Sequence, residues 1–93
     1  MVILLINIKL RLYAVNSLKE KRSIIKSIIE KLKNKYNISI SEIEYQNMHR
    51  ESRIGIVAIS SSFIFLEKEF DKIIKFIDGD PRIEIIDIER ERI

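Results

Sequence analysis

The sequence predicts an α+β domain of the ferredoxin-like type, in which a βαββαβ chain forms a four-stranded antiparallel sheet with two helices on one face. Three observations carry that expectation. Four segments alternate apolar and polar residues or run apolar over strand length; two others repeat apolar residues at helical spacing behind serine caps; and the six follow one another as strand, helix, strand, strand, helix, strand. Right-handed crossovers then give the sheet order 4-1-3-2. A chain of 93 residues holds only one core large enough to offset the conformational entropy of folding, so residues 1–93 read as a single domain.

The first strand is marked by Leu4, Ile6, Ile8, Leu10 and Leu12 alternating with Asn7, Lys9 and Arg11. The opening run "MVILLINI" has no basic region before it and no small-residue cleavage site after it. Asn7, Lys9 and Arg11 also interrupt it too early for a membrane span, which favours a strand over a signal. Ser17 stands three residues before Glu20, the capping-box spacing, and opens a helix over 17–35. At about 100° per residue, Leu18, Ile25, Ile29, Leu32 and Tyr36 share one stripe with Ile28 beside it, a face expected to be buried. Lys19, Arg22, Lys26 and Lys33 form a second stripe along one flank.

In "NISISEIEY", residues 37–45, Ile38 and Ile40 are out of phase with Ile43 and Tyr45, which predicts a strand with a β-bulge near Ser41 and Glu42. "QNMHRES" reads as a polar hairpin tip, and "RIGIVAIS", residues 53–60, as a central strand. Ser60 to Ser62 offer caps for a second helix over about 62–78, with Phe63, Leu66, Phe70, Ile73, Ile74 and Ile77 toward the core and Phe65 and Phe76 away from it. Gly79 and Pro81 stop that helix. "RIEIIDIERER" completes the sheet as a charge-protected edge strand, with a phase break between Ile85 and Ile86. The uncovered sheet face is expected to carry Asn7, Lys9, Arg11, Val57 and Ile59, an apolar pair beside cations.

Most chemistries known on such a fold lack their residues here. With no cysteine there can be no disulfide, thiolate metal site, iron–sulfur cluster or cysteine nucleophile, and the composition suits a reducing cytoplasm. The single histidine, His49, has no histidine partner for a metal site, and Ser17 has no general base and is accounted for as a cap. "LYAVNSL" has no glycine for the phosphate cradle of an acylphosphatase. "ILLINIKL" and "RIGIVAIS" have no aromatic residue for the base stacking of an RNA-recognition motif. The expectation is a protein that is not an enzyme and holds no cofactor or metal.

One charge feature remains. Residues 17–36 contain seven Lys or Arg against two Glu, a local balance of +5 that leaves −2 for the rest of a chain whose net charge is +3. A concentrated positive stripe is the footprint of a phosphate contact, although a Lys-rich helix also serves simple solubility. The candidate RNA-binding residues are Lys19, Arg22, Lys26 and Lys33, with Lys9 and Arg11 of the first strand. The competing reading is a homodimeric interaction protein that associates through the sheet face, an edge strand or the Phe65–Phe76 side of the second helix. A small-ligand sensor ranks last, because no glycine follows the first strand to admit a ligand to the backbone.

"SLKEKR" followed by "KS", the aromatic-Asn-x-Ser strand entry in "YNISISE" and the proline before the acidic strand in "DPRIEIIDIERE" resemble the YlxP-like family, small bacterial proteins grouped as a domain of unknown function. The resemblance runs over essentially the full length. It implies a ferredoxin-like fold and a cytoplasmic bacterial protein. Genes of the family often neighbour those of a ribosome-binding maturation factor and a translation initiation factor, which implies work linked to ribosomes or RNA. Where members of the family usually carry Asp near the hairpin, this chain has Asn47, followed by Met48 and His49.

Overall fold

A computed structural model describes residues 1–93 and contains six elements: β1 (Val2–Leu12), α1 (Leu18–Lys35), β2 (Ser39–Glu44), β3 (Glu51–Ser60), α2 (Phe63–Asp78) and β4 (Ile83–Arg92). The strands form one antiparallel sheet ordered β2-β3-β1-β4, so the two most apolar strands lie inside and the two charged ones at the edges. Strict alternation in β1 sends Val2, Leu4, Ile6, Ile8, Leu10 and Leu12 to one face, where β3 matches them with Ser52, Ile54, Ile56 and Ala58. The buried stripes of both helices close over this face in a single cluster of 18 residues. Each fully buried Leu, Ile or Phe there contributes about 1.5–3 kcal/mol relative to exposure.

The first helix begins on Ser17, as its capping box predicts, and the second on Ser62, the last of the three serines offered. The Ser17 hydroxyl accepts the Glu20 N–H at 3.1 Å, and the Glu20 carboxylate reaches back to the Asn16 N–H at 3.1 Å. Ser62 accepts the Phe65 N–H at 3.2 Å. Gly79 caps the end of α2. Beyond it Asp80 folds back on Arg82, accepting its backbone N–H at 3.0 Å and its guanidinium at 2.9 and 2.6 Å.

Three details depart from the sequence reading. The buried residues of α1 are Lys21, Ile25, Ile28 and Leu32, whereas Ile29 is only partly buried at the edge of the core and Leu18 is half-buried. The stripe is rotated so that Ile28 lies at its centre, with Lys21 in line beneath it at spacings of four, seven and eleven residues. In β2 the extra residue is Ile43, between Glu42 and Glu44, slightly later than the phase of the isoleucines suggested. Gly55 explains its position: a Cβ there would lie 3.2 Å from Ile43 Cγ2, so the bare glycine leaves room for Ile43 to fold over the open sheet face. Finally, β3 starts at Glu51, because Glu51 and Ser52 already pair with Arg11 and Leu10. The phase break in β4 falls at Ile86, as its sequence indicates.

Candidate nucleic-acid interface

Because α1 buries one stripe, the remainder of its circumference carries its cations into solvent. Lys19, Arg22, Lys26 and Lys33 are all exposed along one flank. Lys26 is 4.0 Å from Glu30, a loose i,i+4 pair, and Arg22 donates to Asn47 Oδ1 of the hairpin at 3.4 Å. Lys19 and Lys33 make no ion pair. Four cations on one helical flank, spaced by a capped and well-packed helix, present a row of exposed donors suited to phosphate oxygens.

Lys9 and Arg11 do not join this row. As odd-numbered residues of β1 they point to the face opposite the helices, where Lys9 sits 5.3 Å from the centre of the Tyr45 ring and opposite Asp87 of β4. Arg11 lies between Glu51 of β3 and Glu84 of β4 in the sheet register. Arg53, beside Lys9 in the register, donates to Asn7 Oδ1 at 2.9 Å and lies 3.4 Å from a Glu44 oxygen. The cations of the open face are thus interleaved with acids, and the six sequence candidates divide between two opposite surfaces.

Lys21, counted from sequence with the solvent-facing charges, is withdrawn from them. Its side chain is wholly buried; Nζ lies 2.7 Å from Glu42 Oε2 and donates to the Tyr45 carbonyl at 2.6 Å. Glu42 also accepts the Ser52 hydroxyl at 2.5 Å. Tyr45 takes a φ of 65° on leaving β2, a left-handed conformation costly for a bulky residue, and its carbonyl receives the Met48 N–H at 3.0 Å as well. The cluster therefore ties α1, the end of β2, β3 and the hairpin tip together. One sequence signal was present: Lys21 precedes Ile25, Ile28 and Leu32 on the core spacing.

An ion pair closes the turn before β4. The Arg82 guanidinium, hydrogen-bonded to Asp80, holds the Asp80 carboxyl below its ordinary value, with the charge of Lys31 adding in the same direction; Asp80 in turn raises Arg82. No three His, Cys, Asp or Glu side chains gather as a metal site, and no helix is long and apolar enough to cross a membrane.

Fold and charge layout together define a small α+β module: an antiparallel sheet with two helices, one of them strongly basic on its outer flank. The chain belongs to the DUF503 family, described as a protein of unknown function, whose family model matches residues 3–90. It is similar to the uncharacterized protein YlxP of Bacillus subtilis (strain 168), 47% identical over 73 residues, a stretch covering 78% of this chain and 79% of that protein. Among solved structures it is similar to the de novo designed protein Foldit4, with a TM-score of 0.60, 20% identity and 96% of each chain covered, a likeness of fold alone.

Proposed function

We propose that this chain is a non-catalytic, cytoplasmic module of ferredoxin-like fold that binds structured RNA, such as that of ribosomal particles, through phosphate contacts from Lys19, Arg22, Lys26 and Lys33. The observation that carries this reading is the separation of charge. With Lys21 neutralised inside by Glu42, α1 still turns Lys19, Arg22, Lys26, Lys31, Lys33 and Lys35 outward, and of its two acids Glu20 is engaged in the helix cap. The acids Glu84, Asp87, Glu89 and Glu91 collect instead on β4, all on or near the opposite sheet face. Contacts of this kind give affinity and position without base specificity. Lys9 and Arg11 lie on the wrong side of the sheet to share them.

The test is co-sedimentation of the purified protein with ribosomal particles at low salt. Binding that is released as salt rises supports the reading; absence of the protein from the pelleted particles at every salt concentration refutes it.

A second reading has its own support. On the uncovered sheet face Ile3 pairs with Ile59 and Leu5 with Val57, and Ile59 is 54% exposed. Such an apolar strip suits a homodimer formed face to face. Sedimentation velocity at micromolar concentration supports this if mass rises with concentration and opposes it if only the 11.0 kDa monomer is found.

A further inference from the structure

The flank of α1 opposite the Lys19–Lys33 row forms one wall of a trough whose other wall is α2. Three depressions run into one another there. An open central one, of about 680 Å³, lies between Lys35 of α1 with Tyr36, which caps that helix, and Glu69, Lys72, Lys75 and Phe76 of α2. It shares Lys75 and Phe76 with a second, which continues toward Lys31 and the Asp80–Arg82 turn, and shares Tyr36 and Glu69 with an apolar slot that ends on Phe65 and Ile59. Its two acids are already engaged: Glu69 lies 3.6 Å from Lys72, and Asp80 is forked on Arg82. Lys31, Lys35 and Lys75 make no ion pair, Lys35 Nζ resting 5.7 Å from the centre of the Tyr36 ring, and the three give the trough a surplus of positive charge. Phe65 and Phe76 are 54% and 39% exposed, far more than the neighbouring core aromatic Phe70, which is fully buried.

From this we infer that the trough binds unpaired RNA nucleotides, with bases stacking on the exposed Phe76 and Phe65 and the backbone passing Lys31, Lys35 and Lys75. The inference rests on the RNA reading above and extends it to single strands. A groove that combines unpaired cations with exposed aromatic faces has the two properties single-strand binding requires, a track for the phosphates and platforms for the bases. A duplex keeps its bases paired and cannot offer them for stacking, so it gains nothing from the aromatics. An acidic peptide would use the cations and leave the rings idle.

The experiment is fluorescence anisotropy with a labelled oligouridine of about eight nucleotides, a length within the usual single-strand site size, and with a blunt RNA duplex. Phe76→Leu keeps apolar bulk at a partly exposed site and removes the ring; Lys31, Lys35 and Lys75→Gln removes the charge. Circular dichroism melts confirm that both variants fold. Phe76→Leu should weaken oligouridine binding by roughly tenfold or more while leaving duplex binding unchanged. The triple Gln variant should lower the salt slope for oligouridine by about 0.7 for each lost phosphate contact. If both variants bind oligouridine as the parent does, or if oligoglutamate of equal charge displaces it equally well, the trough inference is overturned while duplex binding through the outer flank stands. If the parent binds neither RNA at low salt, both readings fall. If the outer-flank cations prove dispensable but the trough variants lose oligouridine, the inference holds without the flank.

Discussion

Lys21 Nζ lies 2.7 Å from Glu42 Oε2 although the lysine side chain is wholly buried and the glutamate nearly so, at 15% exposure. A buried charge survives only when paired and hydrogen-bonded, and here the Tyr45 carbonyl and the Ser52 hydroxyl complete the set. This pair joins α1 to the end of β2 just where the Ile43 bulge and the left-handed Tyr45 turn the chain into the hairpin.

Removing one partner should therefore cost more than removing both. Lys21→Met leaves the Glu42 carboxylate and the Tyr45 carbonyl without their donor and is expected to destabilise by about 3–5 kcal/mol. Adding Glu42→Leu to Lys21→Met should recover a good part of that loss. Urea denaturation of the two single variants and the double gives the coupling. Additive losses would show that the pair is not coupled in the way its geometry implies.

The account of α1 also ranks its isoleucines. Ile28 is 1% exposed and Ile29 only partly buried. Ile28→Ala should cost about 2–5 kcal/mol and Ile29→Ala clearly less, with Phe70→Ala on α2 at about 3–5 kcal/mol. Thermal melts with Ile29→Ala as damaging as Ile28→Ala would contradict the assigned face.

Most of this architecture is legible in the sequence because periodicity encodes it. The period-two pattern of β1, the serine caps at Ser17 and Ser62 and the phase break at Ile86 each come from residues that act locally. Lys21 escapes that pattern because periodicity registers hydrophobicity: a lysine on the core spacing reads as surface until Glu42, far along the chain, is seen beneath it. The split of Lys9 and Arg11 from Lys19–Lys33 follows from β1 alternation, but that the two cation sets face opposite ways becomes visible only once the helices are placed on the sheet. The trough is formed by two helices distant in sequence, so its cations and aromatics belong to no common motif.

At the turn before β4, acid should uncouple Asp80 from Arg82. The folded-state pKa of Asp80 lies below the ordinary 3.8, so its contribution to stability is complete above that value and is lost as pH falls through the lower folded value. Asp80→Asn is expected to melt at a lower temperature than the parent near neutral pH, with the difference shrinking as the pH is taken progressively below 3.8. A gap in melting temperature that stays constant throughout the acid range would mean that the carboxylate charge is not what the turn uses.

Gly55→Ala tests the fit of β2 on the open face. The added Cβ would meet Ile43 at 3.2 and 3.3 Å, a distance that requires the isoleucine to give way. Ile43 is 43% exposed and free to shift by the few tenths of an ångström required, so the strain should roughly offset what alanine gains over glycine in an extended strand, a net change within about 1 kcal/mol, and Ile43→Val in the same chain should tip the balance toward the alanine. A loss well above about 2 kcal/mol from Gly55→Ala alone in urea denaturation would show that Ile43 is held rigidly in that space.

The measurement closest to the central claim is the salt dependence of RNA binding in a variant with Lys19, Arg22, Lys26 and Lys33 all changed to Gln, set against a Lys9→Gln, Arg11→Gln variant of the opposite face. Glutamine keeps helix propensity and much of the side-chain stem, so the fold should persist. If the flank touches phosphates, the fourfold variant should bind more weakly to every RNA sequence, its slope of log affinity against log salt reduced by about 0.7–0.9 per lost contact, while the Lys9/Arg11 variant keeps the parental slope. An unchanged slope in the fourfold variant, or an equal loss per charge from Lys9 and Arg11, would contradict the claim and leave the basic row of α1 as solvated surface.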